Sequence, residues 1–131
     1  MKDINVELAI SESQISIALK TAVNILDKWG ISDAEKHAIF AIEKPNSNDN
    51  TNILAESQLL SEGRKIRISH ILNIHENLRT LFSNSENVYG FIKLKNNNPP
   101  FNGLSPLEYI LQNPENALAE VDRHLSSLIL N

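Results

Sequence analysis

The sequence predicts an all-α protein of about seven helices. Three observations predict it. Helix-start signals recur: Ser11-x-x-Gln14, Ser32-x-x-Glu35 and Ser105-Pro106-Leu107-Glu108 each set a hydroxyl three residues before a side chain that reaches back to free backbone amides. Between these starts, apolar residues return every three or four positions, the spacing of one helical face. No stretch shows the period-two alternation of a half-buried strand.

The elements follow in order. In the first helix, Ile10 and Ile15 stand at staple positions around the Ser11 box. Ile15, Leu19, Ala22, Val23 and Leu26 then form a stripe that ends at Trp29-Gly30. The Ser32 box opens a short second helix through Ala38, Ile39 and Ile42, making a helical hairpin. Residues 44–52, KPNSNDNTN, are a polar breaker, and 52–57 is expected to form a third, short helix. A fourth helix is expected from Ser61 to Phe82, with Ile68, Ile71, Leu72, Ile74, Leu78, Leu81 and Phe82 on one arc. Ser69, Asn73, Glu76, Asn77 and Thr80 make the opposite, solvated arc.

Ser83-Asn84-Ser85 breaks that helix, and 86–95 is expected to form another, burying Val88, Phe91, Ile92 and Leu94. Asn96 to Pro100 is a second breaker. Pro106 occupies the first position of the next helix, where its missing N–H costs nothing. Asn113-Pro114 starts the last, which buries Ala117, Leu118, Val121, Leu125 and Leu128. The organisation expected is a unit over 10–60 and a second over 61–131.

With 131 residues, the chain fits one domain or two small helical units sharing a core, and its 5% aromatic content predicts an aliphatic interior. There is no cysteine, which excludes disulfides and thiolate metal sites and agrees with a reducing compartment. The start, MKDINVELAI, has no apolar signal region and no stretch reaches membrane-span length, so a cytoplasmic protein is expected. Residues 1–60 carry five lysines against nine acids, and 61–131 carry seven basic and seven acidic residues. A basic footprint for nucleic acid is therefore missing from the half that would need it.

Chemistry is sparse. His37, His70, His75 and His124 make no metal-ligand spacing, and Gly63 before Arg64-Lys65 lacks the remainder of a phosphate loop. No Ser/His/Asp set can be drawn on spacing, so no enzyme activity, metal or cofactor is expected. Glu120, three before Arg123 and four before His124, reads as ordinary helix-surface pairing. Arg67 and His75 project into the apolar arc of the fourth helix. A cation there must be paired or must snorkel. Arg67 is therefore either an anchor for an acidic group of a partner or half of an internal ion pair with Glu108 or Asp122.

Taken together, the chain resembles the Xre/MbcA/ParS antitoxin family over roughly residues 12–130. The resemblance is carried by Trp29-Gly30-Ile31-Ser32 with Glu35, by Ile39-Phe40-Ala41-Ile42, and by Arg67 through His75 with Leu78 and Leu81-Phe82. Its most specific part is Asn98, Phe101, Gly103 and Ser105-Pro106-Leu107, followed by Val121 and Leu125. Ala41 stands where the family has Gly, Phe91 where it usually has Trp, and 44–52 lengthens the loop before the presumed recognition helix.

The resemblance implies an Xre-like helix-turn-helix unit followed by a toxin-binding domain. It also implies the neutralising half of a type II toxin–antitoxin pair, whose toxin is often a RES-domain enzyme that consumes NAD. Neutralisation would be steric, and the family tends to dimerise and to repress its own operon. By that reading Phe101, Asn102, Leu104, Arg123, Leu130 and Asn131 contact the toxin. Gly103, Ser105, Pro106 and Arg67 hold the geometry, and Thr51 and Asn52 face operator DNA. The segment 52–60 contains no Arg or Lys, although basic contacts to phosphate supply most DNA affinity. A DNA-binding repressor and an orphan helical adaptor are the alternative readings.

Overall fold

The computed structural model describes residues 12–40 and 62–130. Among them it is all-α: α1 (Glu12–Lys28), α2 (Asp33–Phe40), α3 (Glu62–Leu81), α4 (Ser85–Gly90), a 3-10 turn (Phe91–Lys93), α5 (Pro106–Gln112) and α6 (Pro114–Leu130). Several expectations lie outside the described residues: the Ser11 box with Ile10, Ile42, the 44–52 breaker and the short helix at 52–57.

The α1–α2 corner follows from Gly30. Its φ of +79° is a left-handed value open to Gly at little cost. That conformation lets Gly30 N–H reach Asp27 O at 3.0 Å and Ile31 N–H reach Leu26 O at 3.0 Å. This is the paired bonding of a Schellman end, and Leu26 and Ile31 are both buried beneath it. The Ser32 box then forms reciprocally: Ser32 N–H donates to Glu35 Oε1 at 2.9 Å, and Glu35 N–H to Ser32 Oγ at 3.1 Å. Lys36, buried on α2, reaches back to Asp27 on α1 and clamps the hairpin.

α3 is the hub, packing on α1, α2, α4 and α6. Ile71, Ile74 and Leu78 are fully buried on it. Burying an aliphatic side chain of that size contributes roughly 1.5–3 kcal/mol. One continuous core joins α1 (Ile15, Leu19, Ala22, Leu26), α2 (Ile39, Phe40), α3, Val88, Ile92 and α6 (Leu118, Val121, Leu125), so residues of both expected units share one interior.

Some expected burials are corrected. Leu94 and Leu128 are 63% and 48% exposed. Leu94 falls outside because the helix expected over 86–95 ends at Gly90, and after the 3-10 turn, which still buries Ile92, Leu94 takes extended backbone at φ −87°, ψ 134°. Leu128 lies beyond the last turn of α6 that the core covers.

Candidate functional site: the 96–104 loop and its polar surroundings

The segment between the 3-10 turn and α5 is a loop closed on itself. Asn96 N–H donates to Leu104 O at 3.0 Å, and Gly103 N–H to Asn96 O at 2.7 Å. Inside it, Phe101 and Asn102 N–H groups both donate to Asn98 O, and Asn98 N–H donates to the Asn96 side chain at 2.8 Å. The Pro99–Pro100 bond is cis. Asn102 (φ +50°) and Gly103 (φ +99°) take left-handed backbone, which Asn and Gly tolerate best. These two residues reverse the chain.

That reversal decides which side chains face out. Phe101, expected as a contact residue, is 1% exposed. Its ring meets Tyr109 and His124 edge-on at 5.7 and 5.6 Å, and Phe91 at 6.4 Å. It anchors the loop and offers a partner no surface. Asn102 is exposed and Leu104 half-buried, so these two remain available. Ser105 and Pro106 are buried at the start of α5. Ser105 N–H donates to Glu108 Oε1 at 2.8 Å, and Glu108 N–H to Ser105 Oγ at 3.1 Å, completing the box the spacing predicts. The Ser105 amide, then Lys95 beside it, hold the Glu108 carboxyl below the usual carboxylate range.

Arg123 is exposed on α6 and makes no hydrogen bond or ion pair with a described residue. The Leu130 side chain, Asn131, Thr51 and Asn52 lie outside the described residues.

Three internal assignments are corrected. Arg67 pairs with neither Glu108 nor Asp122; its Nη1 donates to the Ile39 carbonyl at 2.8 Å, while Arg64 Nε reaches Phe40 O at 3.1 Å. These guanidiniums cover carbonyls in the last turn of α2, where the helix dipole favours cations. Asp122 instead anchors a polar seam between α3 and α6. It accepts from His70 Nδ1 (2.8 Å), Asn73 Nδ2 (3.3 Å), Asn77 Nδ2 (3.5 Å) and Ser126 Oγ (3.4 Å). A carboxylate only accepts, so the His70 proton sits on Nδ1. Part of the arc expected to be solvated is thus an inter-helix contact. Glu120, expected to pair with Arg123 or His124, takes the Tyr109 hydroxyl instead.

His75 joins a second cluster. Its ring stacks on Tyr89 at 5.6 Å with Nε2 3.2 Å from the Tyr89 hydroxyl, and Lys28 Nζ lies 5.5 Å over the same ring. Burial lowers the His75 pKa; Arg79 and Lys28 lower it further, while Glu76 opposes them.

No convergent acid–base pair with a nucleophile appears in these clusters. Among the described residues, no group of three or more histidine, aspartate or glutamate side chains is placed to hold a metal ion. Nor is any helix among them long and apolar enough to cross a membrane. The loop and α6 present a fixed backbone, the outward side chains of Asn102 and Leu104, and a guanidinium at Arg123 with no partner among the described residues. No protein family, no curated protein and no solved structure matches the chain.

Proposed function

We propose that the chain is an antitoxin of the kind its motifs resemble, which neutralises a cognate toxin, of RES type by that resemblance, through steric occlusion by the 96–104 loop and α6. The observation that carries this reading is the loop's preorganisation. Its ends are joined by two backbone hydrogen bonds, and its centre is pinned by the buried Phe101. Its turn is set by Asn102 and Gly103. A surface already ordered before binding loses little entropy in the complex, which is how a small helical protein achieves tight association. No bond-making is needed of it: covering the mouth of an active site suffices.

Asn102, Leu104 and Arg123 are the described residues expected to touch the toxin, and the chain end at Leu130-Asn131 completes the contact. The test is co-expression with the product of the adjacent reading frame. The expected result is a stable complex and rescue of growth. Failure to form a complex removes the proposal, and full neutralisation after deletion of residues 126–131 removes the chain end's part in it.

A further inference from the structure

Between the 96–104 loop, α5 and α6 runs an open groove of about 410 Å³, lined by Pro100, Tyr109, Glu120, Arg123, His124 and Ser127. Four of these share one face of α6 through their i, i+3, i+4, i+7 spacing. We propose that this groove receives an acidic side chain of a protein partner, with Arg123 as its counter-ion and the Pro100, Tyr109 and His124 rings as the apolar bed beside it. The inference rests on the reading that this end of the molecule binds a protein, and it names the chemistry the groove selects.

The argument is one of charge complementarity. The groove holds one carboxylate and one guanidinium. The carboxylate is turned to Tyr109 rather than to Arg123: Glu120 Oε1 accepts the Tyr109 hydroxyl, and that bond, then burial, raises the Tyr109 pKa. The guanidinium is idle, since Arg123 is exposed and has no partner among the described residues. An Arg so placed presents a planar fork of donors that matches a carboxylate two-to-two.

His124 is oriented rather than loose. Its ring stands edge-on to Phe101 at an interplanar angle of 88°, so the floor is fixed by the residue that also pins the loop. A polyanion such as nucleic acid fits poorly. The groove offers a single guanidinium, and residues 61–131 are charge-balanced, with no basic track for a backbone to follow.

The test is an amide NMR titration of the full chain with acetyl-Ala-Leu-Glu-Ala-amide, beside the peptide carrying Gln in place of Glu. The expected result is saturable shifts at Arg123, His124 and Ser127, with about tenfold weaker binding of the Gln peptide and about tenfold weaker binding by Arg123→Gln. Arg123→Lys should fall between, because it keeps the charge without the fork. Absence of shifts there, equal shifts with both peptides, or unchanged binding by a folded Arg123→Gln overturns the inference. The complex with the adjacent gene product tests the broader reading separately. If wild type binds that protein and Arg123→Gln binds it equally, the groove assignment fails and the antitoxin reading stands. If wild type does not bind, that reading fails while the peptides still decide the groove.

Discussion

A Cβ at Gly103 would meet nothing closer than Asn97 Oδ1 at 4.0 Å, so Gly103→Ala tests backbone conformation alone. With φ at +99°, the substitution is expected to cost about 1–2 kcal/mol, read as a lower urea midpoint. Gly30→Ala differs. There the new methyl falls 2.7 Å from Lys93 Nζ, the far end of a flexible side chain that donates to Gly30 O at 2.8 Å. Strain at φ +79° then adds to displacement of that lysine. Phe101→Ala removes the shared floor of loop and groove, and a loss of about 3–5 kcal/mol is expected from emptying a site of that size. Asn102→Gly keeps the left-handed backbone at φ +50° and should act on partner binding, because the side chain it removes is exposed and that side chain's internal bond, to Pro100 O at 3.4 Å, is long.

At the scale of elements, the α3–α6 contact depends on a carboxylate with four donors. Asp122→Ala strands His70 and Asn73, while Asn77 keeps its bond to Ser126 Oγ at 3.0 Å, and an unfolding free-energy loss of about 1–3 kcal/mol is expected in equilibrium denaturation. The joint of α1, α3 and α4 at His75 predicts a pH effect. Its folded pKa lies below the ordinary value of 6.5, first through burial, so the unfolded chain binds more protons in mild acid. Stability is therefore unaffected by this group above that ordinary value and falls as pH drops below it toward the depressed one. Denaturation midpoints at pH 7 and 5.5 should differ less in His75→Gln than in wild type; an equal difference would rule out the assignment. Glu108 acts at lower pH: its contribution is present above the ordinary carboxylate pKa and is lost as pH falls through the depressed one.

Across the whole molecule, legibility follows locality. The Ser32 and Ser105 boxes and the Gly30 end were readable because their partners lie within five residues along the chain, where helix geometry alone sets the distance. The core stripes of α1, α3 and α6 were readable for the same reason, each being a helical period. Partners fixed by tertiary placement were not. Nothing local says that Arg67 will meet the Ile39 carbonyl 28 residues away, or that Asp122 will draw three residues of α3.

Phe101 shows the limit most clearly. An aromatic in an Asn/Pro/Gly loop resembles a contact residue, yet the left-handed pair after it turns the ring inward. The same turn leaves Asn102 exposed and Leu104 half-buried, and the account of function depends on these two and on Arg123.

That account is tested most directly by calorimetric titration of the adjacent gene product with wild type and with the Asn102→Gly/Leu104→Ala/Arg123→Gln triple variant. The wild type should bind one site tightly. The variant should lose at least about a hundredfold in affinity while keeping its helical circular dichroism and cooperative melt. Undiminished binding by the triple variant, or no binding by the wild type, would contradict a toxin-facing role for the loop and α6.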